Sequence, residues 1–357
     1  MKKIRLAVHA AGVLEPSAFV LLAIGTSALG GAAAICREMM KARPSSMRSL
    51  FCLPLLLPLI QQSAFGGILY VTNSENASIA KISSTGNTLQ TSLLINPHGI
   101  AFPEGIVLDA AGNLFVADEG TLSVHKIAAD GNNSELAAGV ATPAGLAIDR
   151  QNNLYFTDAG SGDIYKVTPS GSVSIFVSRF KLNAPNGAFG LAFDANGNLY
   201  DAIPDSNEVF EITPSGVIST FATGLNSPSG LAFDRNGNLF VSNYFGNSIT
   251  QISPTGIQSP FVSGLRAPVG LAFDNVGNLF VAEHTTDGSI VMITPSGNVS
   301  TFASNLGGSP NFIAIPVPEP STIFMCAVGV LVLAALATFK RLRDCSMAIH
   351  RIAAKPS

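Results

Sequence analysis

Residues 268–306 read PVGLAFDNVGNLFVAEHTTDGSIVMITPSGNVSTFASNL, and this stretch decides the fold. Within it GLAFD, NLFVA, SIVMI and VSTFA are short runs rich in apolar, β-branched and aromatic residues. Between them, DNVGN, EHTTDG and TPSG are turn chemistry. Four short strands in a unit of about 40 residues is the pattern of a propeller blade.

The unit recurs. The glycines that open its first strand are Gly105, Gly145, Gly190, Gly230 and Gly270, separated by 40, 45, 40 and 40 residues. An Asp follows four residues after each, as Asp109, Asp149, Asp194, Asp234 and Asp274, and then a G-N-L or its near match Asn152-Asn153-Leu154. The last tight turn reads TPSG ending at Gly171, Gly216 and Gly297, and SPTG ending at Gly256. Working outward, the first copy is incomplete: residues 67–71, 78–82 and 88–94 match the second, third and fourth strands, with no first strand before them. At the far end, residues 309–315 match APVGLAF and have no successor. One half-unit supplies what the other lacks. The expectation is an all-β, six-bladed propeller of four-stranded blades over 67–316, closed by a C-terminal strand joining the N-terminal blade. A ring sealed in this way has no open sheet edge, and a monomer is expected.

Residues 67–316 carry 19 acidic and 8 basic side chains, a net charge of −11, while the basic surplus lies in the flanking segments. Phosphate binding needs a cationic face, so nucleic acid is not an expected partner. The cysteines, Cys36, Cys52, Cys326 and Cys345, all lie outside the repeats. The repeats therefore offer neither a disulfide nor a thiolate metal site.

With no Trp, the repeats are not of the WD type; P-x-G-L-A-F-D-x-x-G-N-L-F-V-A resembles the NHL-repeat and related six-bladed propellers. That resemblance specifies a fold and is nearly silent about activity. The D-x-x-G-N turns invite a calcium reading, but an EF-hand loop needs glycine at its sixth position and glutamate at its twelfth. The expected role of the Asp is to accept backbone N–H bonds across a tight turn while Gly takes a positive φ. These turns and the TPSG turns share one end of the blades, the turn face, and the loops at the opposite rim vary. A local function is expected on that acidic, amide-rich rim.

Two enzymatic resemblances bear on the rim. Glu104-Gly105 is similar to the E-G-P start of regucalcin and gluconolactonase-type propellers, where a Glu, an Asn and an Asp hold a divalent ion that polarises a lactone carbonyl. Here Ile106 replaces the proline, Asn186 stands as a second ligand, and no Asp partner stands out. His98, Glu283 and His284 locally resemble the His and Glu site of virginiamycin B lyase, a seven-bladed family. Solvated loop carboxylates and a loop histidine are the alternative for each. A divalent cation is expected only under the enzyme reading.

Residues 1–66 hold two export-like signals in tandem. The second starts at Met40, with Lys41, Arg43 and Arg48, an apolar run over 50–60, and small residues Ala64 and Gly66 for cleavage near 66. Met40 is the expected start. After the repeats stand Val317, Pro318, Glu319 and Pro320, then an apolar run over 323–339, the membrane stop Lys340, Arg341 and Arg343, and a cytoplasmic tail over 344–357. This order over 317–343 resembles a PEP-CTERM sorting signal. The resemblance implies an exported Gram-negative bacterial protein held briefly in the inner membrane by a transmembrane helix. An exosortase-type membrane protease would then cleave it and release it to the cell surface or exterior, in association with exopolysaccharide or biofilm matrix. The expected function is a binding module for a polymer or envelope protein, with a metal-dependent hydrolase or lyase as the alternative.

Overall fold

The computed structural model describes residues 67–85, 88–95, 99–178 and 189–316. The leader, the sorting motif, the apolar run, the tail, His98 and Asn186 lie outside these residues. Blade 1 holds β1 (Ile68–Asn73), β2 (Ser78–Thr85) and β3 (Thr88–Ile95). Blade 2 holds β4 (Pro103–Leu108), β5 (Leu114–Asp118), β6 (Ser123–Ile127) and β7 (Asn133–Ala138). Blade 3 holds β8 (Pro143–Ile148), β9 (Leu154–Asp158), β10 (Asp163–Val167) and β11 (Val173–Val177). Blade 4 holds β12 (Leu191–Phe193), β13 (Leu199–Ile203), β14 (Glu208–Ile212) and β15 (Ile218–Ala222). Blade 5 holds β16 (Pro228–Phe233), β17 (Leu239–Asn243), β18 (Ser248–Ile252) and β19 (Gln258–Ser263). Blade 6 holds β20 (Pro268–Phe273), β21 (Leu279–Glu283), β22 (Ser289–Ile293) and β23 (Val299–Ala303). The last strand, β24 (Pro310–Ala314), pairs antiparallel with β1, Val71 opposite Ile313 and Tyr70 opposite Ala314. Its sheet runs β24-β1-β2-β3, matching the four-stranded order of the other five.

The innermost strands touch in a circle: β24 with β4, β4 with β8, β8 with β12, β12 with β16, β16 with β20, and β20 with β24. This arrangement explains the composition of each strand. β5, β9, β13, β17 and β21 are buried along their whole length, because a blade's second strand is covered by a neighbour on both faces. Such strands read as continuous apolar runs instead of alternating ones. The outer strands β11 and β23 start with three exposed residues and keep only their last two positions covered or half-covered.

Aromatic rings fill the seams. Tyr155 meets Phe176 of its own blade at 5.0 Å and Phe193 of the next at 5.1 Å, both edge-to-face. Tyr200 meets Phe221 and Phe233, each at 4.9 Å, and Phe240 meets Phe261 and Phe273 at 4.9 and 5.0 Å. Each such pair adds about 0.5–1.5 kcal/mol beyond its buried area. The phenylalanines of GLAFD and of the outer strands are thus two halves of one contact.

At the turn face the Asp of each D-x-x-G-N turn accepts the backbone N–H of the Asn four residues on and that Asn's side-chain amide. For Asp109 and Asn113 the distances are 2.8 and 2.6 Å, and Asp149, Asp194, Asp234 and Asp274 repeat the pattern. Asn152, which stands where the other copies have Gly, takes φ 60°, a left-handed conformation that Asn tolerates.

Candidate functional site

The rim is built from the last residue of each second strand and the loop that enters each blade. Asp118 accepts the backbone N–H of Ala101 at 2.8 Å, Phe102 at 2.7 Å and Gly120 at 3.0 Å. Asp158 does the same for Ala141, Thr142 and Gly160. Asn243 accepts from Asn226. Glu283 accepts from the Arg266 backbone at 2.9 Å, from its guanidinium at 3.1 Å and from Ser289 Oγ at 2.7 Å. These side chains pin the entry loops, whose N–H groups lie beyond the reach of the sheet ladder and need acceptors. Much of the acidic character that the sequence places on the rim is therefore engaged in holding backbone.

Nearer the axis, the first strands of blades 2, 3, 5 and 6 have an irregular register just after their proline, and the second residue past that proline is the recurrent Gly. A methyl group on Gly105, Gly145, Gly190, Gly230 or Gly270 would overlap the backbone carbonyl oxygen of the next blade, so only Gly allows this approach. In blade 1 the equivalent residue is Phe312. Its ring lies 5.8 Å from that of Phe189, which stands just before Gly190 of blade 4, three blades away. The two rings meet across the axis.

The next-to-last residue of each second strand is Thr72, Ala117, Thr157, Ala202, Ser242 and Ala282 in turn, hydroxyl alternating with methyl around the ring. All six are buried. Each hydroxyl accepts the N–H of its own blade's axial residue and donates to a carbonyl of the following blade. Thr157 Oγ1 accepts from Gly145 at 2.7 Å and donates to Phe189 at 3.1 Å. Ser242 Oγ accepts from Gly230 at 2.7 Å and donates to Val269 at 2.6 Å. Thr72 Oγ1 accepts from Phe312 at 3.0 Å and donates to Glu104 at 2.5 Å. Thr157→Val keeps the shape and strands one buried N–H and one buried carbonyl. The expected cost is about 1–3 kcal/mol, read as a lower urea midpoint with an unchanged slope, and Thr157→Ser restores it.

Of the sequence-derived candidates, Glu104, Glu283 and His284 fall within the described residues. Glu104 is half-buried at the axial mouth, and its carboxyl is pushed up to about 8, first by burial and then by the Glu119 carboxylate. His284 Nδ1 lies 2.8 Å from Asn311 Oδ1, on the rim side of blades 6 and 1, and its ring is 6.1 Å from Tyr244. Glu283 points its charge at Arg266 instead. Among the described residues no group of three or more His, Cys, Asp or Glu side chains is gathered as a metal site would require. Asn186, the second ligand of the lactonase resemblance, lies outside the described residues.

Two features escaped the reading of the sequence. Ser123 Oγ and Asp118 Oδ2 both face His125, at 2.9 and 3.8 Å, which looks like a hydrolytic triad. Both approach the same nitrogen, Nε2, whereas a triad needs the acid and the nucleophile on opposite ring nitrogens. Asp201 is the second. It is fully buried where the other second strands place Val71, Val116, Phe156, Val241 and Val281, and neither carboxylate oxygen has a hydrogen-bond partner. Burial drives its proton affinity well above that of an ordinary Asp. The Phe189 amide opposes this, but that N–H is already donated to the Ala202 carbonyl at 3.0 Å. The signal was a charged residue inside L-Y-D-A where its counterparts read L-F-V-A or L-Y-F-T.

At the opposite end, the turn face holds a cavity of about 460 Å³ between blades 3 and 4, lined by Tyr155, Phe176, Phe193, Lys166, Asp149 and Asp194 among others. Glu104, Glu283 and His284 do not line it.

Topology and geometry define this chain as a six-bladed β-propeller. No protein-family model matches it, and no curated protein sequence does. Solved structures with the same fold include a nidogen/laminin complex, at 17% identity and a TM-score of 0.62, covering 71% of this chain and 99% of that one. A virginiamycin B lyase from Staphylococcus aureus matches at 20% identity and a TM-score of 0.51, covering 68% and 77%. A gluconolactonase from Xanthomonas campestris matches at 19% identity and a TM-score of 0.55, covering 69% and 87%. At these identities the likeness is one of fold, and it spans binding proteins and enzymes alike.

Proposed function

We propose that this propeller is an exported binding module, delivered to the cell surface or matrix and engaging a polymer or envelope protein through its rim. The observation that carries this reading is the state of the rim's side chains. Asp118, Asp158 and Glu283 are engaged with backbone and Arg266, the axis is filled by Phe312 against Phe189, and aromatic surface is left outward. Phe245 is 71% exposed, packed edge-to-face on Tyr244 at 5.1 Å. An exposed aromatic with a rigid neighbour and no place in the core offers contact area at low entropic cost. The matched chain of the nidogen/laminin complex is a binding precedent within the same architecture. The sorting order over 317–343 and the leader before 67 supply the route: inner membrane, exosortase-type cleavage, release. In a pull-down with exopolysaccharide or envelope material from the producing cells, Tyr244→Ser with Phe245→Ser is expected to lower retention at least about tenfold, a loss of roughly 1.4 kcal/mol. Ile257→Ser, on the outer edge, should leave retention unchanged; equal retention by all three proteins would remove the rim from the reading.

One observation favours the hydrolase or lyase alternative, the half-buried Glu104 beside Glu119. A carboxyl whose folded pKa stands near 8 holds a proton that the unfolded chain releases near 4.5. Its contribution to stability is complete below pH 4.5 and is lost as pH rises toward 8. Under the binding reading, Glu104→Gln flattens the fall in urea midpoint between pH 5 and 8, and calorimetric titration with Mg²⁺, Ca²⁺ or Zn²⁺ gives no saturable heat. Saturable cation binding that Glu104→Gln abolishes would establish the enzyme reading in its place.

A further inference from the structure

Every first strand begins at the rim and ends at the turn face, where the D-x-x-G-N turns lie. β24 follows the same course: Pro310 stands opposite Asn73 at the rim end of β1, and Ala314 opposite Tyr70 nearer its start. The chain therefore leaves the propeller from an innermost strand, at the centre of the turn face. A shallow hollow of about 230 Å³ marks the spot, lined by Ile106, Leu108, Ile148, Ile313, Ala314 and Ile315 from blades 1, 2 and 3.

We infer that, while anchored, the propeller stands with its turn face toward the membrane and its rim outward. This rests on the reading of residues 323–339 as a membrane span. Chain length then decides between the two orientations. From Ala314 to Ile323 is nine residue steps, which reach at most about 30–32 Å when fully extended. To present the rim to the bilayer, the chain would have to run from the axis past the outer strand. That is three strand spacings, about 14 Å, followed by the height of a strand, about 17–20 Å. Such a path uses the whole reach merely to arrive level with the rim, before the outer side chains are cleared or the bilayer is met. The shorter way, through the axis, is closed by Phe312 and Phe189. The opposite orientation needs no detour. Covalent reach alone keeps the stretch 317–320 within about 20–22 Å of Ala314, so in this orientation a membrane-embedded protease has access to it. The rim is exposed to partners before cleavage as well as after it.

The test uses the full chain in vesicles of phosphatidylethanolamine and phosphatidylglycerol containing headgroup spin-labelled lipid. The four cysteines lie outside the propeller, so replacing them by Ala leaves a single introduced thiol for a fluorophore. Ser296→Cys places it on the exposed TPSG turn of blade 6, and Ser206→Cys on the exposed rim loop of blade 4. The turn-face probe is expected to be quenched roughly threefold more than the rim probe, the two sites differing in height by about 17–20 Å. Equal quenching, or stronger quenching at Ser206→Cys, in a chain that floats with the vesicles overturns the orientation and leaves the membrane reading standing. A chain that does not float overturns both.

Discussion

Gly230→Ala is expected to unfold much of the protein population or to leave a ring that melts far below the parent. The added methyl would lie inside contact distance of the Val269 carbonyl oxygen in the next blade. Neither partner can yield cheaply: the oxygen accepts from Ser242 Oγ at 2.6 Å, and the same Oγ holds Gly230 N–H at 2.7 Å. Overpacking against backbone is the severe form of a small-to-large change, and a cost of about 4 kcal/mol or more is expected. For a domain of this size that corresponds to a fall of roughly 8–16 °C in melting temperature. Gly224→Ala is the control. Gly224 takes φ 72° with nothing near the added carbon, so only the left-handed backbone penalty applies, about 1–2 kcal/mol. If the two variants melt together, the close approach of blades at the axis is not what the glycine serves.

The second large effect runs the other way. Asp201→Val puts the side chain of four sister blades into the place of a buried carboxyl with no hydrogen bond, and the protein is expected to gain stability. Burying an unpartnered polar group costs about 1–3 kcal/mol in proteins, so a gain near the middle of that range, roughly 4–8 °C, is reasonable for this size. The pH dependence identifies the cause. Burial lets Asp201 keep its proton to a higher pH in the fold than in the unfolded chain, so its stability contribution is complete below the ordinary carboxyl value of 3.8 and is lost as pH rises. The advantage of Asp201→Val should therefore be larger at pH 8 than at pH 5. Asp201→Asn should remove the pH dependence yet recover little stability, because the amide is as poorly partnered as the acid. A destabilised Asp201→Val would mean that the carboxyl has a partner that its neighbours in blades 3 and 4 do not show.

The candidate site was less legible than the fold. Glu283 and His284 are adjacent in sequence, but the fold separates them: Glu283 turns to Arg266, seventeen residues back, and His284 to Asn311 of the closing strand. Neither partner is implied by local sequence, since both contacts depend on how an entry loop lies over a strand end. Phe312 was legible only as one more apolar residue of β24. Its role at the axis depends on Phe189, more than a hundred residues away.

Periodicity alone was enough for the blade, its four strands, the turns between them and the number of copies, because glycine at a tight turn and alternating apolar runs are local demands on φ, ψ and burial. The same local logic assigned Asp109 and its four counterparts to turns. Tertiary packing decided what the polar groups do once the blades come together: which carboxylates hold backbone, which hydroxyls bridge adjacent blades, and that Asp201 is enclosed without a partner. The reason is physical. A strand's own residues dictate its conformation, whereas the partner of a buried hydrogen-bonding group is supplied by whichever distant segment the closed ring sets against it.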